Sequence, residues 1–152
     1  MAKALAVASY IARWFASGDE NDLTPMKLQK LLYYSQGFFL AVESRKLFDS
    51  KVEAWEHGPV VRDVYTAYKD LRPNESNYIV QPHPGGNPDD LTEPERVLVD
   101  DVLDVYGELS ANRLRNMTHD EPPWKETYVE GQKKEIPPDL MKSFFTGLVV
   151  QQ

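Results

Sequence analysis

The sequence predicts a mainly α fold: a single compact helical domain over residues 1–152, with about five to six helices and one or two short strands. Three observations predict it. Apolar residues recur at helical spacing through most of the chain, that period gives way only around residues 47–55 and 76–81, and no internal repeat or long linker divides the sequence. At 152 residues the chain is long enough to bury a core without metal or disulfide staples.

The first helix is expected over residues 2–16, where Leu5, Ala8, Ile11, Ala12 and Phe15 form one stripe and residues 18–22 end it. Its apolar start is like that of a signal peptide, but Arg13, Trp14 and an acidic run follow too soon, so an amphipathic helix is expected. Thr24 caps the second helix and Pro25 takes its first turn; Leu28, Leu31, Leu32, Ser35, Phe38 and Phe39 then keep helical spacing. Tyr33, Tyr34 and Gly37 fill the rest of the circumference, which predicts burial on more than one side and a close neighbour at the glycine. Val52 and Ala54, alternating with Lys51 and Glu53, read as a short strand.

A helix from Pro59 to about residue 71 follows, and residues 76–81 read as a second short strand or an extended arm before the loop at 82–88. Thr92 and Glu95 have capping-box spacing ahead of Val99, Val102, Leu103 and Tyr106, with Gly107 as the stop. Ser110 caps a short helix containing Leu114 and Met117, and Pro122 and Pro123 impose an irregular arm before Trp124. Pro137 and Pro138 introduce a last helix over residues 139–148.

The densest information lies in Glu53-Ala-Trp-Glu-His-Gly-Pro-Val-Val-Arg-Asp-Val-Tyr65. Gly58 allows backbone angles that a β-carbon disfavours, Pro59 has φ preset for a first helical turn, and Val60, Val61, Val64, Tyr65 and Tyr68 recur at helical spacing. A strand is therefore expected to meet a helix at His57-Gly58-Pro59. The junction lacks the glycine density of a phosphate-cradling loop, so shape rather than nucleotide binding explains it.

Three segments in order carry a resemblance: Pro25-Met-Lys-Leu-Gln-Lys-Leu-Leu-Tyr-Tyr-Ser-Gln-Gly-Phe-Phe-Leu40, Ala54-Trp-Glu-His-Gly-Pro-Val-Val61 and Leu114-Arg-Asn-Met-Thr-His-Asp-Glu-Pro-Pro-Trp124. The chain resembles the Panacea antitoxin-domain family, which includes SocA-like proteolytic-adaptor antitoxins and GepA-like phage-associated proteins. The resemblance implies an antitoxin or antitoxin-like protein of a toxin–antitoxin system that suppresses a cognate toxin by direct protein–protein contact. SocA-like members imply an alternative, delivery of the bound toxin to a cellular protease.

Composition narrows the remaining classes. The absence of cysteine removes disulfides, thiolate nucleophiles and cysteine-ligated metal centres, and suits a reducing cytoplasm. No stretch reaches the roughly 18 apolar residues of a membrane span. A formal net charge of -7 opposes unaided binding to a phosphate backbone, and Lys27, Lys30, Arg45, Lys46 and Lys51 read as a solvated helix face. A helix-turn-helix regulator would need a basic recognition helix, whereas residues 60–69 offer Arg62 and Lys69 alongside Asp63.

The inventory for catalysis is thin. His57, His83 and His119 are far apart and form no HExxH-type pair, no G-x-S-x-G elbow occurs, and the acidic pairs Asp89-Asp90 and Asp100-Asp101 read as a turn and a helix surface. No catalytic, cofactor or metal site is expected. His57 and His119 are expected to fix turns through their ring nitrogens, and an enzyme would require them to converge with acidic groups in a pocket. Trp55 and Trp124 are core anchors or, if partly exposed, binding hot spots. The candidate interface set is therefore Trp55, His57, Gly58, Pro59, Val60, Tyr65, His119, Pro123 and Trp124.

Overall fold

In the computed structural model, which describes residues 1–150, the chain wraps its other elements around one buried helix. The helices are α1 (Ala4–Ala16), α2 (Pro25–Glu43), α3 (Arg62–Leu71), α4 (Glu93–Tyr106), α5 (Ala111–His119), the single turn α6 (Pro122–Lys125) and α7 (Pro138–Val150). The strands β1 (Val52–Trp55), β2 (Gly58–Val61) and β3 (Lys134–Glu135) form an antiparallel sheet in the order β2-β1-β3. The mainly α expectation holds, with seven helices rather than five to six and three strands rather than one or two among the described residues.

Every residue of α2 from Lys27 to Leu40 is buried, because α1, α4, α5, α7 and β2 all pack on it. Thr24 caps it as expected, accepting from the Lys27 backbone N–H at 3.3 Å. A helix buried all round must pair its polar side chains inside the protein. Gln29, Gln36 and Lys27 do so by gripping the backbone of neighbouring segments, whereas the buried Ser35 hydroxyl has no partner among the described residues. Gln36 accepts from Leu47 N–H at 2.8 Å and donates to the Phe48 carbonyl at 2.7 Å, while Gln29 accepts from Val61 N–H at 2.8 Å. Lys27 donates to both Asp22 oxygens at 2.8 and 2.9 Å and to the Gly107 carbonyl at 2.7 Å. The solvated-helix-face expectation is thus overturned for Lys27 and Lys30, each 1% exposed, while Arg45 and Lys51 are exposed but lie beyond the end of α2 and on no helix.

The close approach expected at Gly37 is made by Phe145 of α7, whose ring occupies the place of a β-carbon there. Around that contact Tyr33, Tyr34, Phe38 and Tyr106 join Phe145, Tyr34 stacking on Tyr106 at 4.5 Å between centroids. Such pairs add directional preference to apolar burial.

Two expectations fail for identifiable reasons. Pro59, Val60 and Val61 do not begin a helix; they form β2, pairing with Ala54, Glu53 and Val52, and α3 starts only at Arg62. The proline's missing N–H is tolerated because β2 is an edge strand. Pro122 and Pro123 do not impose an irregular arm but occupy the first turn of α6, where their fixed φ fits and no N–H is needed. Residues 76–81 take the extended-arm alternative, tied by Val80 N–H to the Leu23 carbonyl at 2.8 Å. The Thr92–Glu95 box forms, Glu95 accepting from Thr92 N–H at 2.8 Å, and Ser110 caps α5 by accepting from Arg113 N–H at 3.0 Å.

Candidate functional site

The β1–β2 hairpin is the centre of the site. Trp55 pairs with Gly58 across a turn formed by Glu56 and His57, and Gly58 closes it at φ 115°, a region that residues with a β-carbon avoid. A β-carbon at Gly58 would also lie 2.8 Å from Lys30 Cε and 2.9 Å from both Lys30 Nζ and Thr118 Oγ1. Glycine is required there twice over, by backbone angle and by space.

Around this hairpin α2, α5 and α6 interlock. Lys30 donates to the Pro59 carbonyl at 3.1 Å. Tyr33 and Tyr34 donate to the two oxygens of Glu121 at 2.9 and 2.7 Å, joining α2 to the residue that precedes α6. The Trp124 indole N–H donates to the Trp55 carbonyl at 2.7 Å, and its ring stacks between His119 and Tyr128 at 4.0 and 4.7 Å. Pro123, next to Trp124 in α6, is buried, and the three stacked rings are half-buried.

The electrostatics follow from burial. Lys30 is driven down to about 7 by desolvation, with the Arg115 guanidinium adding to the effect. Glu121 is raised to about 7 by desolvation, against which the hydroxyls of Tyr34 and Tyr33 favour its charged form. Tyr33 and Tyr34 are pushed well above the ordinary phenol range, first by burial and then by the Glu121 charge. Burial lowers His119, as do the charges of Arg115 and Lys30, and its buried Nε2 has no hydrogen-bond partner among the described residues.

Next to the hairpin lies an open cleft of about 710 Å³. Trp55, Val60, Tyr65 and Tyr128 give it aromatic and aliphatic walls, and Lys30 and His57 also line it. The Trp55 ring is held edge-on to Tyr65 at 4.9 Å, and Lys133 Nζ sits 4.3 Å from its centroid. Its indole N–H donates to Glu53 at 2.9 Å, and the same carboxylate oxygen accepts from Arg62 at 3.0 Å.

Of the residues expected to matter, Trp55, His57, Val60 and Tyr65 face the cleft, while Gly58, Pro59, His119, Pro123 and Trp124 build the packing that supports it. His57 sits at the hairpin tip, where its Nδ1 accepts from Arg115 Nε at 3.3 Å. His83 lies elsewhere, with Nε2 at 3.1 Å from the Ala67 carbonyl. Among the described residues no group of three or more His, Cys, Asp or Glu is placed to hold a metal ion. No helix among them is long and apolar enough to cross a membrane.

Sequence reasoning missed Lys30, Arg115, Thr118, Glu121 and Tyr128. A signal for Lys30 did exist, a lysine inside a helix expected to be buried on several sides. Glu121 gave less, because a carboxylate ahead of two prolines reads as an ordinary loop residue.

The family model described as antitoxin SocA-like, Panacea domain, matches residues 28–125. That interval, well over half of the chain, holds Lys30, Tyr33 and Tyr34, the whole hairpin, and Thr118 through Trp124. No curated protein and no solved structure matches the chain. The segments that interlock around Gly58 are thus the ones the family model spans, and the chain belongs to the antitoxin SocA-like, Panacea domain family.

Proposed function

We propose that this protein is a cytoplasmic antitoxin that neutralises a cognate toxin by direct binding, with the cleft beside the β1–β2 hairpin as the contact surface. The observation that carries this reading is the cleft itself: an open groove of about 710 Å³ whose walls are aromatic and aliphatic, with most of its lining inside the interval that the family model matches and Tyr128 and Lys133 added from beyond it. Aromatic anchors within a charged rim are the parts of a protein-binding hot spot. Trp55 and Tyr65 are the anchors, and Lys69, Glu75 and Lys133 belong to the rim. The role is non-enzymatic, since the side chains around the cleft offer pairing and packing rather than a nucleophile held against a base.

Coexpression with the product of each adjacent gene tests this. Rescue from toxicity should accompany copurification, and Trp55→Ala or Tyr65→Ala should weaken both with the melting temperature little changed. Harmless neighbours, or rescue without association, would remove the basis of the proposal. The abundance of the toxin separates two routes: blockade leaves it unchanged, whereas delivery to a protease lowers it until that protease is deleted.

A further inference from the structure

Lys27 and Lys30 are both 1% exposed and lie on one helix, yet only the first is fully paired. Lys27 directs its donors at two Asp22 oxygens and the Gly107 carbonyl. Lys30 reaches one acceptor, the Pro59 carbonyl at 3.1 Å, although an ammonium carries three donors. Arg115, His57 and His119 stand near it, and among the described residues none of these four groups forms an ion pair. In a chain with 24 acidic and 17 basic residues, four neighbouring basic groups with no carboxylate bonded to any of them are unexpected.

The donors are also unspent. His57 accepts at Nδ1 from Arg115 Nε at 3.3 Å, so in its neutral form the ring hydrogen resides on Nε2, which has no protein partner among the described residues. His119 stands behind them, outside the cleft lining, with the Glu56 carbonyl as a hydrogen-bond partner of its ring and its Nε2 buried. Lys30 and His57 line the cleft, which opens the cluster to whatever occupies it.

We propose that Lys30 and His57, with Arg115 hydrogen-bonded to His57, form a carboxylate-binding pocket at the hairpin end of the cleft, which receives an acidic side chain or chain terminus of the bound polypeptide. This rests on the reading of the cleft as a polypeptide-binding surface. A carboxylate fits better than a phosphate dianion because Glu56, Glu75 and Glu130 also line the cleft and oppose a second negative charge. Glu75 is already engaged by Arg72 at 2.8 Å. Burial holds Lys30 near 7, and an arriving anion restores its preference for the charged form, so binding takes up a proton above neutral pH.

The test titrates the full chain, carrying labelled lysine and histidine for NMR, with four probes. They are acetyl-Trp-Glu-Trp-amide, acetyl-Trp-Ala-Trp with a free C-terminal carboxylate, the neutral acetyl-Trp-Gln-Trp-amide, and inorganic phosphate. At least one carboxylate peptide should bind roughly tenfold or more tightly than the neutral one, raise the titration points of Lys30 and His119, and take up a proton. Preference for the first probe identifies a side chain as the anion, and preference for the second a chain end. Lys30→Met and Arg115→Gln should each abolish the preference; Arg115 is only partly buried, so its variant keeps the test valid if Lys30→Met does not fold. Equal binding of the neutral peptide, no binding of any peptide, or tighter binding of inorganic phosphate overturns the carboxylate pocket. A toxin that copurifies equally with the parent and with Arg115→Gln also overturns it while leaving the docking surface intact; loss of binding in Trp55→Ala reports on that surface separately.

Discussion

Lys30 destabilises the fold it is buried in. Between about 7 and its ordinary 10.5 the unfolded chain binds a proton that the folded chain lacks, so this residue makes stability rise with pH across that window. Glu121 acts in the opposite sense. Raised from 4.5 to about 7, it contributes stability that is full below 4.5 and lost as pH rises through 7. The two limbs place a minimum of stability near pH 7 in urea denaturation, with His119, lowered by burial, working against the acid limb below 6.5. Lys30→Met should flatten the alkaline limb and raise stability at pH 6 by on the order of 1 kcal/mol or more, because a buried ammonium with one carbonyl acceptor and no counter-ion gives way to an apolar chain of similar volume. Glu121→Gln should flatten the acid limb, and parent and variant curves of equal slope would contradict the assignment. Gly58→Val should cost about 2–4 kcal/mol, combining strain at positive φ with overlap on Lys30 and Thr118. An unchanged melting temperature would contradict the crowded junction. The need for glycine at residue 58 was legible in the sequence, but not that Lys30 and Thr118 fill the space beside it.

Among the elements, α2 acts as a fastener. Gln29 and Gln36 each satisfy backbone groups of other segments, so Gln36→Leu strands the Leu47 N–H and the Phe48 carbonyl and should cost about 1–3 kcal/mol by chemical denaturation. A cost near zero would show that water replaces the glutamine. Trp124 couples α6 to the hairpin through a hydrogen bond and stacks between His119 of α5 and Tyr128; Trp124→Ala should cost roughly 2–4 kcal/mol, whereas Trp124→Phe, which keeps a ring, should cost about 1 kcal/mol. If the alanine variant melts like the parent yet loses its partner, Trp124 belongs to the interface instead. Caps and periods made α1, α2, α4, α5 and α7 legible, since Thr24, Thr92, Glu95 and Ser110 act within a few residues of themselves. β2 and β3 were not legible as strands. A strand of two to four residues exists only because another pairs with it, and Val60 and Val61 suit a helical stripe as well as an edge strand.

At the scale of the molecule, a helix buried all round divides the chain into a packed aromatic side, where α7 meets α2 at Gly37, and a hairpin side that keeps its cleft open. Gly37→Ala should cost about 1–3 kcal/mol by displacing Phe145 without altering partner affinity, because it acts on the side away from the hairpin; thermal melting and a binding assay on one sample check both halves. Reduced affinity in that variant would show that the two sides communicate through α2.

The sequence by itself determined the mainly α class, most helix limits, the glycine requirement at residues 37 and 58, and the three segments that carry the family, because each depends on local backbone preference or on a pattern readable in order along the chain. Only the tertiary structure decided that Lys30 is buried with a single carbonyl as its acceptor, that Glu121 closes on Tyr33 and Tyr34, and that Trp55, Tyr65 and Tyr128 share one cleft. The reason is physical. Lys27 has Asp22 five residues upstream within reach, but a side chain's charge state follows from which distant segments exclude water around it, and nothing near Lys30 in the chain foretells that the hairpin and α5 enclose it without a carboxylate partner.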